Sequence, residues 1–267
     1  MKRGLWFMAM CLLLGAPALG AAAPTEPATG GLGWLRIERA TEGFQVPGLI
    51  ALQLNGAEVG VIADQASREA ALQLKPASDK EPHTLRLTTL DTAYSFTLRL
   101  AVDEKGVRII GRPTTETCAA VTLTAPPAVL PRTGALSRLR LSFARSGDTS
   151  NCKATPRAFG TQVRYSIAFA TQPAGAALYF LDGTGNVPTT PSTYQHHFGD
   201  GRRYVVVFKK PGYLDCPRVL QIKADESNAS QHWLEVNGGN RLRIYDATGG
   251  QPPPQVSCQL TPLPSTP

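Results

Sequence analysis

From Trp34 onward the chain alternates apolar and polar residues with a period of two, the spacing that sends neighbouring side chains to opposite faces of a sheet. In residues 84–88, Leu85 and Leu87 share one face while Thr84, Arg86 and Thr88 share the other. Residues 95–102 repeat the scheme with Phe96, Leu98, Leu100 and Val102 on the apolar side. Leu136 falls out of step, but Leu139, Leu141 and Phe143 then alternate with Arg138, Arg140 and Ser142. Strands with one apolar and one polar face belong to antiparallel sheets that are wet on one side. Many short strands punctuated by Gly, Pro, Asn and Asp predict sandwiches. The expected fold is therefore all-β, with two antiparallel β-sandwich-like domains in tandem. Only residues 63–74 carry good helix formers, with Asp64 in a capping position. Their last residues alternate like a strand, so one short helix or a turn is the most they predict.

Breaks in the alternation divide the chain. Residues 21–33 are rich in Pro, Thr, Ala and Gly and read as a flexible leader. A first β-domain is expected over 34–155 and a second over 160–237, with the boundary in the polar stretch 146–160. The proline-rich segment 125–134 is a loop inside the first unit if Cys118 pairs with Cys152. Residues 238–267 predict a terminal β-ribbon, from 241–245 and 255–260, followed by a Pro-rich tail. Residues 51–56 are similar to 177–183, and 83–87 match 204–208 in pattern. Asn55-Gly56 and Asp182-Gly183 are hairpin signals, since both residue types tolerate the backbone of a type I′ turn.

The N-terminus sets the compartment. Lys2 and Arg3 precede an apolar run over 5–14 and a small-residue exit, the three parts of a secretory signal peptide, with cleavage expected after Gly20. The run is shorter than the roughly 20 apolar residues that span a bilayer. A periplasmic or secreted protein, not membrane-spanning after cleavage, is expected. Four cysteines remain, Cys118, Cys152, Cys216 and Cys258, and in an oxidising compartment they favour disulfides. Three connectivities exist; pairing in sequence order keeps each bridge within one domain. None has zinc-site spacing. The net charge of +7 comes from dispersed side chains without a contiguous basic stripe, which argues against nucleic acid. It leaves a weak general attraction for acidic glycans or anionic surfaces.

Residues 164–236 carry a family resemblance. Pro173, Ala174, Gly175 and Ala176 are followed by a strand to Asp182 and Gly183, then Thr190 and Pro191, then Gly201 and Tyr204 before an apolar strand. Lys210, Pro211, Gly212 and Tyr213 follow, and 218–222 and 232–236 read as closing strands. This order resembles a PEGA domain, a small extracytoplasmic β-sandwich with no known catalytic role. Ala174 replaces the family's acidic residue, the 185–194 connection is longer, and Cys216 is extra. Each landmark also has a plain physical reading. Gly175 and Gly183 permit tight turns. Pro173 and Pro191 suit strand edges. Tyr204, Val206 and Phe208 alternate with Val205, Val207 and Lys209, which predicts a strand buried on both faces. Gly212 turns the chain, and Tyr213 covers the end of a core.

Nothing in the sequence assembles a catalytic, cofactor-binding or metal site. His196 and His197 on one strand point to opposite faces, so only one can join Asp200, and the group reads as a polar loop. Residues 182–186 supply one carboxylate where calcium takes six to eight oxygens. There is no Gly-x-Ser-x-Gly elbow and no His-Glu-x-x-His helix. The acid pairs Asp103-Glu104 and Asp225-Glu226 are adjacent, whereas glycosidase carboxylates flank a bond. Asn228 begins a glycosylation sequon. Tyr194, His196 and Trp233 are the candidate ligand contacts, and Trp34, Tyr194, Tyr213 and Trp233 make a sugar platform if two share a face. Otherwise Trp233 and Tyr213 complete a core. Arg99, Arg138 and Arg140 mark a basic stripe or simply a solvated face. The reading is a non-catalytic binding or scaffolding protein of the cell envelope, contacting protein or glycan through sheet edges and loops, with no cofactor. The alternative is an accessory carbohydrate-binding module or an envelope hydrolase.

Overall fold

The alternating stretches fold as strands because each has one face that must leave water. The computed structural model describes residues 33–63, 67–89, 94–150, 152, 162–181, 188–199, 201–225, 227, 231–245 and 250–264. The expected signal peptide and the leader up to residue 32 lie outside these, as do Asp64, Asp182, Gly183, Asp200 and Asn228, while Gly33 opens the first strand. In chain order the strands are β1 (Gly33–Arg39), β2 (Ile50–Leu54), β3 (Ala57–Ile62), β4 (Glu69–Leu74), β5 (His83–Thr89), β6 (Ser95–Asp103) and β7 (Gly106–Ile109). Then come β8 (Thr114–Thr117), β9 (Val121–Leu123), β10 (Arg132–Thr133), β11 (Leu136–Leu141) and β12 (Phe143–Arg145). The second half holds β13 (Gln162–Gln172), β14 (Ala177–Phe180), β15 (Ser192–Gly199), β16 (Arg203–Lys209), β17 (Cys216–Ala224), β18 (His232–Val236), β19 (Asn240–Ile244) and β20 (Gln255–Gln259). The described residues contain no helix.

The strands make two sandwiches with separate cores. In the first, the sheet β10-β11-β1-β4 faces β3-β2-β5-β6-β7, with β8 on β6 and the pair β9–β12 closing one end. Leu35, Ile37, Leu72 and Leu139 meet Leu52, Leu85, Leu87, Phe96 and Leu98 between the sheets. In the second, β15-β13-β20 faces β14-β16-β17-β18-β19, enclosing Ile167, Phe169, Phe198, Tyr204, Phe208, Leu220 and Leu234. Most pairings are antiparallel, but β1–β11 and β13–β20 run parallel. Similar stretches pair alike: β2 lies antiparallel to β5, and β14 antiparallel to β16. Asn55 (φ 51°) and Gly56 (φ 83°) form the hairpin between β2 and β3.

Two expectations are corrected. Residues 69–74 are strand β4, not a helix; Ala70, Leu72 and Leu74 enter the core at period two, and pairing with β1 outweighs the helical propensity of Ala, Glu and Leu. Residues 240–244 and 255–259 do not form a ribbon with each other. β19 extends one sheet beside β18 while β20 completes the other beside β13, because Ile244 and Val256 both belong to the core between those sheets.

The cysteines pair in sequence order, Cys118–Cys152 and Cys216–Cys258, with Cα–Cα separations of 5.6 and 6.6 Å. The second bridge ties β17 in one sheet to β20 in the other. Beyond it, Leu214 N–H donates to Thr261 O and Leu263 N–H to Gly212 O, so the C-terminal segment is docked.

The family-like landmarks serve this framework. Pro173 starts the turn from β13 to β14, where Gly175 is at φ 87° and the Lys210 ammonium donates to Ala174 O. Ala176 is fully buried, and its N–H donates to Thr190 Oγ1. Tyr204 lies in the core and its hydroxyl accepts the Gly199 N–H at 2.6 Å. Gly201 and Gly212 take positive φ in the turns flanking β16, and Tyr213 packs against the second core.

A third apolar cluster joins the sandwiches. Val61 and Ala63 at the end of β3 pack on Tyr179 and Val207, on the outer side of β14 and β16. That contact is why β16 is buried on both faces. Residues Gly31–Pro267 form one compact unit.

Candidate functional site

The strand β16 ends in Lys209, whose side chain is only 5% exposed. A buried ammonium needs an anion, and Asp215, just before β17, supplies it. Lys209 Nζ donates to Asp215 Oδ1 at 2.9 Å and Oδ2 at 3.0 Å. Oδ2 also accepts the Val61 N–H of the first sandwich at 3.1 Å. Burial pushes the Asp215 carboxyl above its ordinary value, while the Lys209 charge, its hydrogen bond and the Val61 amide pull against that shift. The approach is close enough that a Cβ on Gly60 would lie 2.7 Å from Oδ2. The pair is thus a latch between sandwiches, with its hydrogen-bonding capacity largely taken up.

Beside the latch runs a groove of about 500 Å³. Its floor is the outer face of β1 and β4, where the parity that buries Leu35 and Ile37 turns Arg36 and Glu38 outward. Its wall is the β16–β17 turn, with Lys210, Gly212 and Tyr213. Arg36 Nε lies 3.7 Å from the Glu69 carboxylate, and Glu38 is directly opposite Glu69 in the ladder. Arg68 Nη2 donates to Ala40 O at 2.9 Å and to Gln45 Oε1 at 3.0 Å, which fixes its guanidinium at the rim. The groove therefore offers charges of both signs from a rigid β floor.

The residues singled out from sequence are not brought together. Tyr194 and His196 turn inward from β15 and stack at 6.0 Å; Tyr194 lies 4.9 Å from Phe180, and His196 lies 5.0 Å from Phe198. They form part of the second sandwich's aromatic wall. His197 is exposed on the opposite face, as alternation requires. Trp233 lies on the other sheet and does not complete a core: Leu234 takes the inward position, and Trp233 turns outward with its indole N–H on Asp225 Oδ2 at 2.9 Å. The arginine stripe is also corrected, because Arg99 is on β6 while Arg138 and Arg140 are on β11 in the opposing sheet. Arg140 instead pairs with Glu42. Among the described residues, no three of His, Cys, Asp and Glu cluster as metal ligands, and no helix is long and apolar enough to cross a membrane.

Sequence reasoning missed the latch, the groove and the company Trp233 keeps. The latch had a signal: Lys209 stands on a strand whose pattern predicts burial on both faces. Its partner Asp215 and the abutting Gly60 had none, because nothing local relates residue 60 to residue 215. No family model, curated protein or solved structure matches the chain.

Proposed function

We propose that the chain is a non-catalytic binding or scaffolding protein of the cell envelope, exported by its first 20 residues, which grips an extended protein segment in the groove between its sandwiches. The groove carries this reading. Its floor is β-structure, and Arg36, Arg68 and Lys210 line it together with Glu38 and Glu69. A peptide presents the complementary mixture of acidic and basic side chains with backbone donors and acceptors. The latch ties the sandwich that carries the wall to the sandwich that carries the floor, which lowers the ordering cost on the receptor. Two disulfides support an oxidising compartment. The resemblance of residues 164–236 to PEGA domains supports the same compartment and a role without catalysis.

The test places a photo-crosslinking residue at Ser67 or Lys210, lining the groove, and at Arg99, remote from it, in cells that export the chain. The groove positions are expected to give one discrete protein adduct in the envelope fraction and Arg99 none. Equal adducts from all three positions, or none from the groove, would overturn the groove reading. A stoichiometric catalytic metal, or turnover in a hydrolase screen, would sink the non-catalytic one.

A further inference from the structure

The outer face of β17, β18 and β19 has a composition that the fold does not require. Leu220, Ile222, Leu234 and Ile244 point into the core, so the alternate positions face away from it. Register sets them in two rows. Lys223, Trp233 and Arg243 lie side by side across the three strands; Arg203, Gln221, Glu235 and Arg241 form the adjacent row, starting on β16. An indole is thus flanked on both sides, one strand spacing of about 4.8 Å away, by a cation. Tyr245 continues the parity of Arg241 and Arg243, is 38% exposed, and lies with its ring 5.5 Å from the Arg243 guanidinium carbon.

The charges on this face do not cancel. Of the two carboxylates among its described residues, Glu235 is buried and paired with Lys223, whose hydrogen bond and charge, together with the charge of Arg241, hold it below the usual carboxylate range. Asp225 accepts from the Trp233 indole and from Ser227. Arg203, Arg241 and Arg243 are exposed and form no ion pair among the described residues. The face that carries the indole therefore presents three open guanidinium groups, Arg241 and Arg243 on the strand beside Trp233 and Arg203 two strands away on the other side.

We infer that this face binds an acidic polysaccharide, with a sugar ring stacked on Trp233 and its carboxylates or sulfates held by Arg241, Arg243 and Arg203. Guanidinium groups match planar oxyanions bidentately, and an indole offers sugar C–H groups a broad apolar face. A nucleic acid strand fits less well, since it calls for successive stacking platforms and the disulfides point to an oxidising compartment. The inference rests on the reading of the chain as an exported binding protein, but on a surface separate from the groove.

The experiment is titration of the disulfide-intact chain with polygalacturonate, its fully methyl-esterified form, and single-stranded DNA of equal charge. Polygalacturonate is expected to bind with an affinity that falls as salt rises, and the esterified polymer to bind at least tenfold more weakly. Arg241→Ser/Arg243→Ser and Trp233→Ala are each expected to weaken binding by about tenfold or more. Arg99→Ser/Arg138→Ser, the same charge change elsewhere, should leave it unaltered. Trp233→Phe, which keeps a ring, checks that loss in the alanine variant is not misfolding. Equal loss in the Arg99/Arg138 variant would reduce the effect to net charge and overturn the site. Tighter binding of DNA through the same residues would overturn the glycan assignment. Failure here with groove crosslinks intact would remove this inference alone.

Discussion

At the scale of single residues, the latch shows how one buried charge fixes several other choices. Lys209 ends an apolar strand covered by the first sandwich, so it requires Asp215; Asp215 in turn satisfies the outward-facing Val61 amide of edge strand β3 and leaves no room for a side chain at Gly60. Asp215→Ala strands an ammonium in the interior and is expected to cost about 3–5 kcal/mol in chemical denaturation. Lys209→Met is a different case, because an isolated carboxyl can take up a proton. Burial already pushes Asp215 upward, and removing Lys209 removes the main opposing pull. The unfolded carboxyl ionises near its ordinary value of 3.8 while the buried one stays protonated, so the deficit of Lys209→Met should be least near pH 4 and grow as pH rises. A deficit independent of pH between 4 and 8 would show that the pair is not the source of the loss. Much at this scale was legible: alternation placed Leu85, Leu98 and Tyr204 inside, and it marked Lys209 as buried. Asp215 was not legible, because a partner across a sandwich junction is set by how two sheets meet.

At the scale of elements, side chains hold the strands that backbone pairing alone secures least. β8 is short, mostly exposed and paired only with β6. Its Glu116 reaches across that pairing, accepting hydrogen bonds from Thr97, from Ser95 at 3.0 Å and from Arg86 Nε at 2.8 Å. The Thr97 hydroxyl, then Ser95 and Arg86, hold the Glu116 carboxyl below its usual range against its partial burial. A lowered folded value means the stabilisation is complete above the unfolded value near 4.5 and is lost as pH falls below it, through the folded value. Amide hydrogen exchange at Thr115 should therefore lose protection below about pH 4.5 in the wild-type chain. In Glu116→Gln that protection should be weaker at neutral pH and flat through the same range. An unchanged pH profile in the variant would assign the effect to other carboxylates. Strand identity was legible wherever alternation was clean, but pairing partners were less so. The segments 241–245 and 255–260 both looked like strands and correspond to β19 and β20, yet they joined different sheets, since the same alternation fits either core.

At the scale of the molecule, the sandwiches have separate cores but are not independent bodies. Val61, Ala63, Tyr179 and Val207 make a dry contact between them, and the Val61 amide donates across the junction to a carboxylate of the other half. Sequence proposed two domains with a boundary in 146–160; the two-sided burial of 204–209 signalled that something covers this strand but not that Val61 and Ala63 do, because alternation carries no information on which surface meets which. The coupling has a direct readout. If the halves open as a unit, the Val61 amide exchanges only when the whole chain unfolds, with the protection shown by a core amide such as Leu87. In Asp215→Ala the Val61 amide loses its acceptor and should exchange by opening of the junction, while Leu87 keeps protection set by the first core. The two amides are expected to exchange together in the wild type and to part in the variant. Separate exchange rates in the wild-type chain would mean that the junction opens independently of both cores. The groove beside it would then be a moving cleft, and an extended segment bound there would have to close it as well as fill it.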